Sequence, residues 1–199
     1  MKKTSLRIKI SFFGALMIAA LFFTHSYISI AALIASLLHE LGHIFAAKVC
    51  KIPLKELKLG IFGAALKPSK AFISYKQEII LSLSGPLVNL VCAIPLLIFF
   101  KNSHEFLRLF IETSLFLGIL NLLPITDFDG GRILYCLIAY KISPQFALRS
   151  IKILSFSLVF ILWTLSVYLL IKLASSLSLF IFSLSLFSKL FLTCEKSNF

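Results

Sequence analysis

Charged residues fall in clusters along this chain, and the stretches between them are almost wholly apolar. From Ile10 to His39 there is no lysine, arginine, aspartate or glutamate, and the apolar character continues to Val49. A helix crossing a bilayer needs about 20 such residues, so this region is too long for one span. A break at Thr24-His25-Ser26 divides it into helices over about 8–24 and 28–49. Further apolar blocks predict spans over about 79–100, 106–124, 150–171 and 176–193. The expected fold is an all-α polytopic membrane protein, one domain over residues 1–199 with about six transmembrane helices.

Two connections carry local signals of their own. In LKELKLGIFGAALK (54–67), charged and apolar residues alternate and then give way to Gly60 and Gly63. That pattern predicts short strands or a hairpin at the membrane surface rather than a span. Ser143-Pro144 reads as an N-cap followed by proline at the first helical position, opening the helix of the fifth span.

Lysine and arginine then orient the helices. The N-terminal flank holds Lys2, Lys3, Arg7 and Lys9, whereas the turn around His25 holds none. The next connection is rich in lysine, from Lys48 to Lys76, and the one before the fifth span has Arg132, Lys141, Arg149 and Lys152. Positive residues stay cytoplasmic, which puts both termini and both basic loops on that side of a cell membrane.

Composition agrees with this picture. The 199 residues are 59% hydrophobic, with 21 Phe and only 8 acidic side chains, and the mean hydropathy is +1.01. A soluble domain of this length has too little interior to hide that surface, whereas lipid solvates it. The net charge of +12 is spread between hydrophobic runs with no nucleic-acid motif, so it reads as topology and not as a nucleic-acid interface. Cys50, Cys92, Cys136 and Cys194 have no C-x-x-C spacing and read as small buried hydrophobes.

Candidate chemistry lies inside the second span. LLHELGHIFAAK (37–48) contains H-E-x-x-H. His39 and His43 are one helical turn apart, so both imidazoles project from one face and supply half of a tetrahedral zinc shell. Glu40 lies beside that face, where its carboxylate could take a proton from water. An ionisable residue within a span costs about 2.5 to 3.5 kcal/mol on insertion scales, and so usually has a function. The third ligand is expected from NLLPITDFDGGR (121–132), which holds the only aspartates of the chain, Asp127 and Asp129. Spacing alone leaves the two open. Pro124 is expected to end the preceding helix, and Gly130 and Gly131 to let the backbone turn sharply. Glu112, one turn from Arg108, reads as an ion pair.

H-E-L-G-H on an early span, S-G-P-L-V-N (84–89) on the next and N-x-x-P-x-x-x-x-D-G (121–130) together resemble the site-2 protease family of intramembrane metalloproteases, peptidase family M50. The stage IV sporulation protein FB type, without a PDZ domain, is the most similar kind. The resemblance implies His39, His43 and Asp129 as ligands of one zinc ion, with Glu40 activating water and Asp127 outside the motif. It also implies a substrate-binding part for Gly85, Pro86, Asn89 and Asn121. For Asn89 and Asn121 the alternative is an interhelical amide bond beside a close contact at Gly85. The 54–67 segment would pair with an unwound substrate on the cytoplasmic side. The chain departs from that type in carrying no CBS domain after the last span.

The function implied is an intramembrane zinc endopeptidase acting within or near transmembrane segments, in regulated intramembrane proteolysis and in a sporulation setting by resemblance. Expected partners are a membrane-associated protein substrate, the lipid bilayer, and an inhibitory membrane protein or a second copy of the chain. The competing readings are a membrane metal transporter or an inactive scaffold using the same ligands. A transporter should line several spans with polar residues, whereas here they gather in the cytoplasmic half.

Overall fold

The computed structural model describes residues 7–10, 26–52, 54–60, 63–68, 73–100, 104–173 and 177–195. The chain divides into two compact units, Met1–Leu122 and Leu123–Phe199.

In the first unit, strand β1 (Arg7–Ile10) is followed by helix α1 (Tyr27–Val49), strands β2 (Leu54–Gly60) and β3 (Gly63–Pro68), and helices α2 (Tyr75–Phe99) and α3 (Glu105–Asn121). Helix α1 starts where the polar break was expected: the Ser26 hydroxyl accepts from the Ile28 amide at 3.3 Å. It ends on a left-handed residue, Lys51 (φ 54°), with Ile52 N–H donating to Ala47 O and Lys51 N–H to Lys48 O at 2.8 and 3.2 Å. That closing turn places Ile52 against Ala46, Ala47 and Leu81. At the start of α2, Gln77 Oε1 accepts from the Ser74 amide at 3.2 Å, and Gln77 Nε2 donates to Cys50 O at 3.3 Å. One side chain thus ties the beginning of α2 to the end of α1.

Burial along α1 is inverted relative to a soluble helix. Leu37, Leu41, Phe45 and Val49 form an exposed stripe, while Ala31, Ala35, His39, Gly42, His43 and Ala46 are buried. Small residues allow backbones to approach and the bulky apolar ones are left for lipid, which is how helices associate in a bilayer. The backbones come close at Gly42, where a Cβ would lie 2.7 Å from Ser84 O on α2.

The hairpin expected over 54–67 is present as antiparallel β2 and β3, from Leu57↔Leu66 to Gly60↔Gly63. A third strand joins it that the hydropathy pattern did not suggest: β1 pairs in parallel with β2, Arg7↔Glu56 to Ile10↔Leu59. The first span was expected to begin at about residue 8, and residues 8–10 are instead strand because their backbone bonds to β2; the remainder, 11–24, lies outside the described residues.

The second unit holds helices α4 (Asp129–Lys141), α5 (Pro144–Leu173) and α6 (Leu177–Glu195). Ser143 opens α5 as expected, accepting from the Phe146 amide at 3.2 Å. Ser166 and Ser183 hydroxyls, both fully buried, bond across α5 and α6 at 2.8 Å, and Ser183 also donates to Phe180 O at 2.9 Å. Among the described residues, α1, α2 and α5 are long and apolar enough to cross a membrane. Helix α3, at 17 residues, reaches about 26 Å at 1.5 Å per residue, and carries the exposed Arg108–Glu112 ion pair at 3.3 Å. Cys136 is buried, whereas Cys50 and Cys92 are partly exposed, Cys50 packing against the cluster of Ala46, Ala47, Ile52 and Leu81.

Candidate metal centre

His39 and His43 lie one turn apart on the buried face of α1, 6% and 8% exposed. Their rings meet edge to face with centroids 4.8 Å apart, and the two Nε2 atoms are 3.1 Å from each other. Two nitrogens about 2.0–2.1 Å from one zinc at the tetrahedral angle stand about 3.3 Å apart, so the pair is spaced as a chelate would be. On the far side of the His43 ring, Nδ1 lies 2.7 Å from Leu81 O. A carbonyl only accepts, so the ring proton is on Nδ1 and Nε2 keeps its lone pair. Ser84 Oγ adds to this arrangement, 3.4 Å from His43 Nδ1 and donating to Leu81 O at 2.6 Å.

The two rings rest on α2 at Gly85. A Cβ on that residue would lie 2.5 Å from His43 Nε2, 2.6 Å from His43 Cε1 and 2.8 Å from His39 Nε2. Any side chain there would fill the place in front of the two Nε2 atoms. Pro86 and Asn89 are also fully buried on α2, with Asn89 Nδ2 3.4 Å from His39 Nδ1. Glu40 is half-buried, its Oε2 shielded from solvent. Asn121 spends its amide on its own helix, donating to Leu117 O at 2.9 Å.

The second unit presents the aspartates differently from the turn expected. Helix α3 ends at Asn121, ahead of Pro124, but Asp129, Gly130 and Gly131 form the first turn of α4 instead of a sharp bend. The reason is packing: a Cβ at Gly131 would lie 2.0 Å from Ile125 O, so the 122–128 loop lies directly on that first turn. Ser155 of α5 pins the same loop, its Oγ accepting from the Thr126 amide and meeting Thr126 Oγ1, both at 2.9 Å. Asp129 is 7% exposed, whereas Asp127 is exposed on the loop. His39, His43 and Asp129, all buried, are a group that could hold a metal ion. Sequence reasoning placed Ser84 in the S-G-P-L-V-N motif but gave it no part at His43. It missed Leu81 O and Ser155, because a backbone carbonyl and a lone serine in an apolar helix leave no distinctive pattern.

Comparison with known proteins bears on this centre directly. Residues 27–104 match peptidase family M50. The matched M50 region spans α1, the hairpin and α2, and so includes both histidines, Glu40 and Gly85. A curated zinc metalloprotease of Methanocaldococcus jannaschii is 33% identical over 114 residues, which are 54% of this chain and 33% of that protein. The chain thus spans about a third of the length of the curated relative it matches. The solved structure of a site-2 protease from the same organism has the same fold, with a TM-score of 0.68 over 96% of this chain and 91% of that one, at 24% identity.

Proposed function

We propose that this chain is a zinc endopeptidase of the site-2 protease type, hydrolysing peptide bonds within or near transmembrane segments of membrane-associated substrates in regulated intramembrane proteolysis. The observation that carries the reading is the pair of Nε2 atoms 3.1 Å apart over Gly85, on a helix whose outer face is a stripe of Leu, Phe and Val. The M50 match over the same residues supports it.

In this reading His39, His43 and Asp129 would hold one zinc ion, which would supply Lewis-acid chemistry for hydrolysis when bound. Glu40, next to the ligating face, accepts a proton from the attacking water on its carboxylate and delivers it to the leaving amine. Asp129 is favoured over Asp127 by its burial. The apolar surroundings favour substrates that arrive through the membrane, and an edge of the sheet left unpaired among the described residues would hold an unwound segment extended.

The topology belongs to the same proposal: six spans in one domain, a membrane-surface sheet, and both termini and the active site toward the cytoplasm. The pairing of β1 with β2 supports it, because hydrogen-bonded strands put the N-terminal flank and the connection between α1 and α2 on one side of a bilayer.

Glu40→Gln tests the mechanism. The variant should retain zinc at the wild-type ratio while fragments of membrane proteins, followed by proteomics, fall to background. Undiminished cleavage would remove Glu40 from the reaction. In the same assay Asp129→Asn should strip zinc much more than Asp127→Asn, and the reverse order would overturn the ligand set.

A further inference from the structure

Asn89 lies one helical turn beyond Gly85 on α2 and is fully buried. Its Nδ2 is 3.4 Å from His39 Nδ1, while its Oδ1 is shielded from solvent with no hydrogen-bond partner among the described residues. The nitrogen and oxygen of a carboxamide are told apart by their partners alone. With Nδ2 toward His39 the Oδ1 end is left without a partner, and with the amide turned over the Nδ2 end takes that place. The tautomer His39 must adopt to ligate therefore decides between them. Turning the amide over brings Oδ1 to His39 Nδ1.

The two orientations have opposite consequences for the imidazole. An Nδ2–H donor would need a bare Nδ1, which sends the ring proton to Nε2, where it occupies the lone pair a metal would use and points at His43 Nε2, 3.1 Å away. An oxygen accepts only, so Nδ1 must carry the proton and Nε2 keeps its lone pair. Leu81 O already acts in that way on His43, at 2.7 Å. The two histidines would then be fixed in the same tautomer by two acceptors on one helix, four residues either side of Gly85.

We infer that Asn89 is a positioning residue of the metal centre: its Oδ1 accepts from His39 Nδ1–H and holds His39 in the zinc-binding tautomer and ring orientation. The inference rests on the zinc reading given above and adds to it the residue that sets one ligand. A ligating histidine held by an outer acceptor typically loses about 10–100-fold in metal affinity when that acceptor is removed.

The test is zinc competition on the purified full chain in detergent, with a chromophoric chelator, alongside the absorption spectrum of the cobalt-loaded protein. Asn89→Asp keeps an acceptor and should hold zinc at the wild-type level with an unchanged cobalt spectrum. Asn89→Leu has similar size and no acceptor, and should bind zinc about 10–100-fold more weakly with a shifted spectrum. Should the leucine variant fail to keep its helical circular dichroism, Asn89→Ala carries the same expectation. Wild-type affinity in the variants without an acceptor, or equal loss in the aspartate variant, overturns the inference while zinc binding by the wild type stands. A wild-type chain that binds no zinc, or a His39→Ala variant that binds it equally well, removes the zinc reading and the inference together.

Discussion

Gly85 carries the two imidazoles on bare backbone, and no other residue type leaves room for them. With ring nitrogens 2.5 and 2.8 Å from the position of its missing Cβ, alanine would push both rings off their present line. The His43 bond to Leu81 O would be lost with that movement. Gly85→Ala is therefore expected to lower zinc affinity by on the order of 10–100-fold, the range for displaced ligand support. Equilibrium zinc titration decides it, and unchanged affinity would mean that the rings move aside freely. Gly118 provides the contrast at this scale. Its nearest neighbours are Leu90 Cδ2 and Cγ at 3.2 Å and Pro86 O at 3.3 Å, contacts that a few tenths of an ångström relieve, so Gly118→Ala should weaken zinc binding far less than Gly85→Ala. The H-E-x-x-H spacing was legible in the chain because a turn of helix is a local fact. A close contact at Gly85 was among the expectations, but that the imidazoles make it was not legible, because they come from another helix, more than 40 positions earlier.

Among the elements, the loop from Leu122 to Phe128 shows how position is transmitted to Asp129. It lies against the first turn of α4 through Gly131 and against α5 through Ser155, so its path is set by one contact close in sequence and one 29 positions away. Gly131→Ala sets a Cβ 2.0 Å from a backbone oxygen, and backbone cannot rotate away as a side chain can. Overpacking of that kind costs about 3 kcal/mol. The expected outcome is a lower thermal midpoint in detergent together with weaker zinc binding; a variant with wild-type values for both would show that the loop accommodates the methyl. Proline at 124 correctly marked the end of α3, since a residue without an N–H cannot extend the helix. The two glycines misled, because glycine permits a turn without requiring one, and here close approach selected it.

For the whole molecule, the sheet is the most informative feature of topology. The parallel register sets Lys9 opposite Lys58. In a chain whose four native cysteines are replaced, Lys9→Cys and Lys58→Cys together should form a disulfide under mild oxidation, detected by mass spectrometry of the digested protein. Lys9→Cys paired with Leu54→Cys, four residues out of register on β2, should not; an equal yield would remove the register. Membrane-impermeant labelling of each single cysteine from the same face would then support the proposed sidedness.

The sequence by itself determined what depends on short-range spacing and on the solvent: helices that lipid can cover, the hairpin between α1 and α2, and two histidines one turn apart in an apolar helix. Long apolar blocks fix their own secondary structure because backbone bonds must close internally where there is no water. Only the tertiary structure decided the rest. It added β1 to the sheet, put Asp129 in a helical first turn, rested both rings on Gly85 and brought Asn89 to His39. Each of those depends on atoms from separate elements meeting at close range, and no pattern along a single chain records which surfaces will meet.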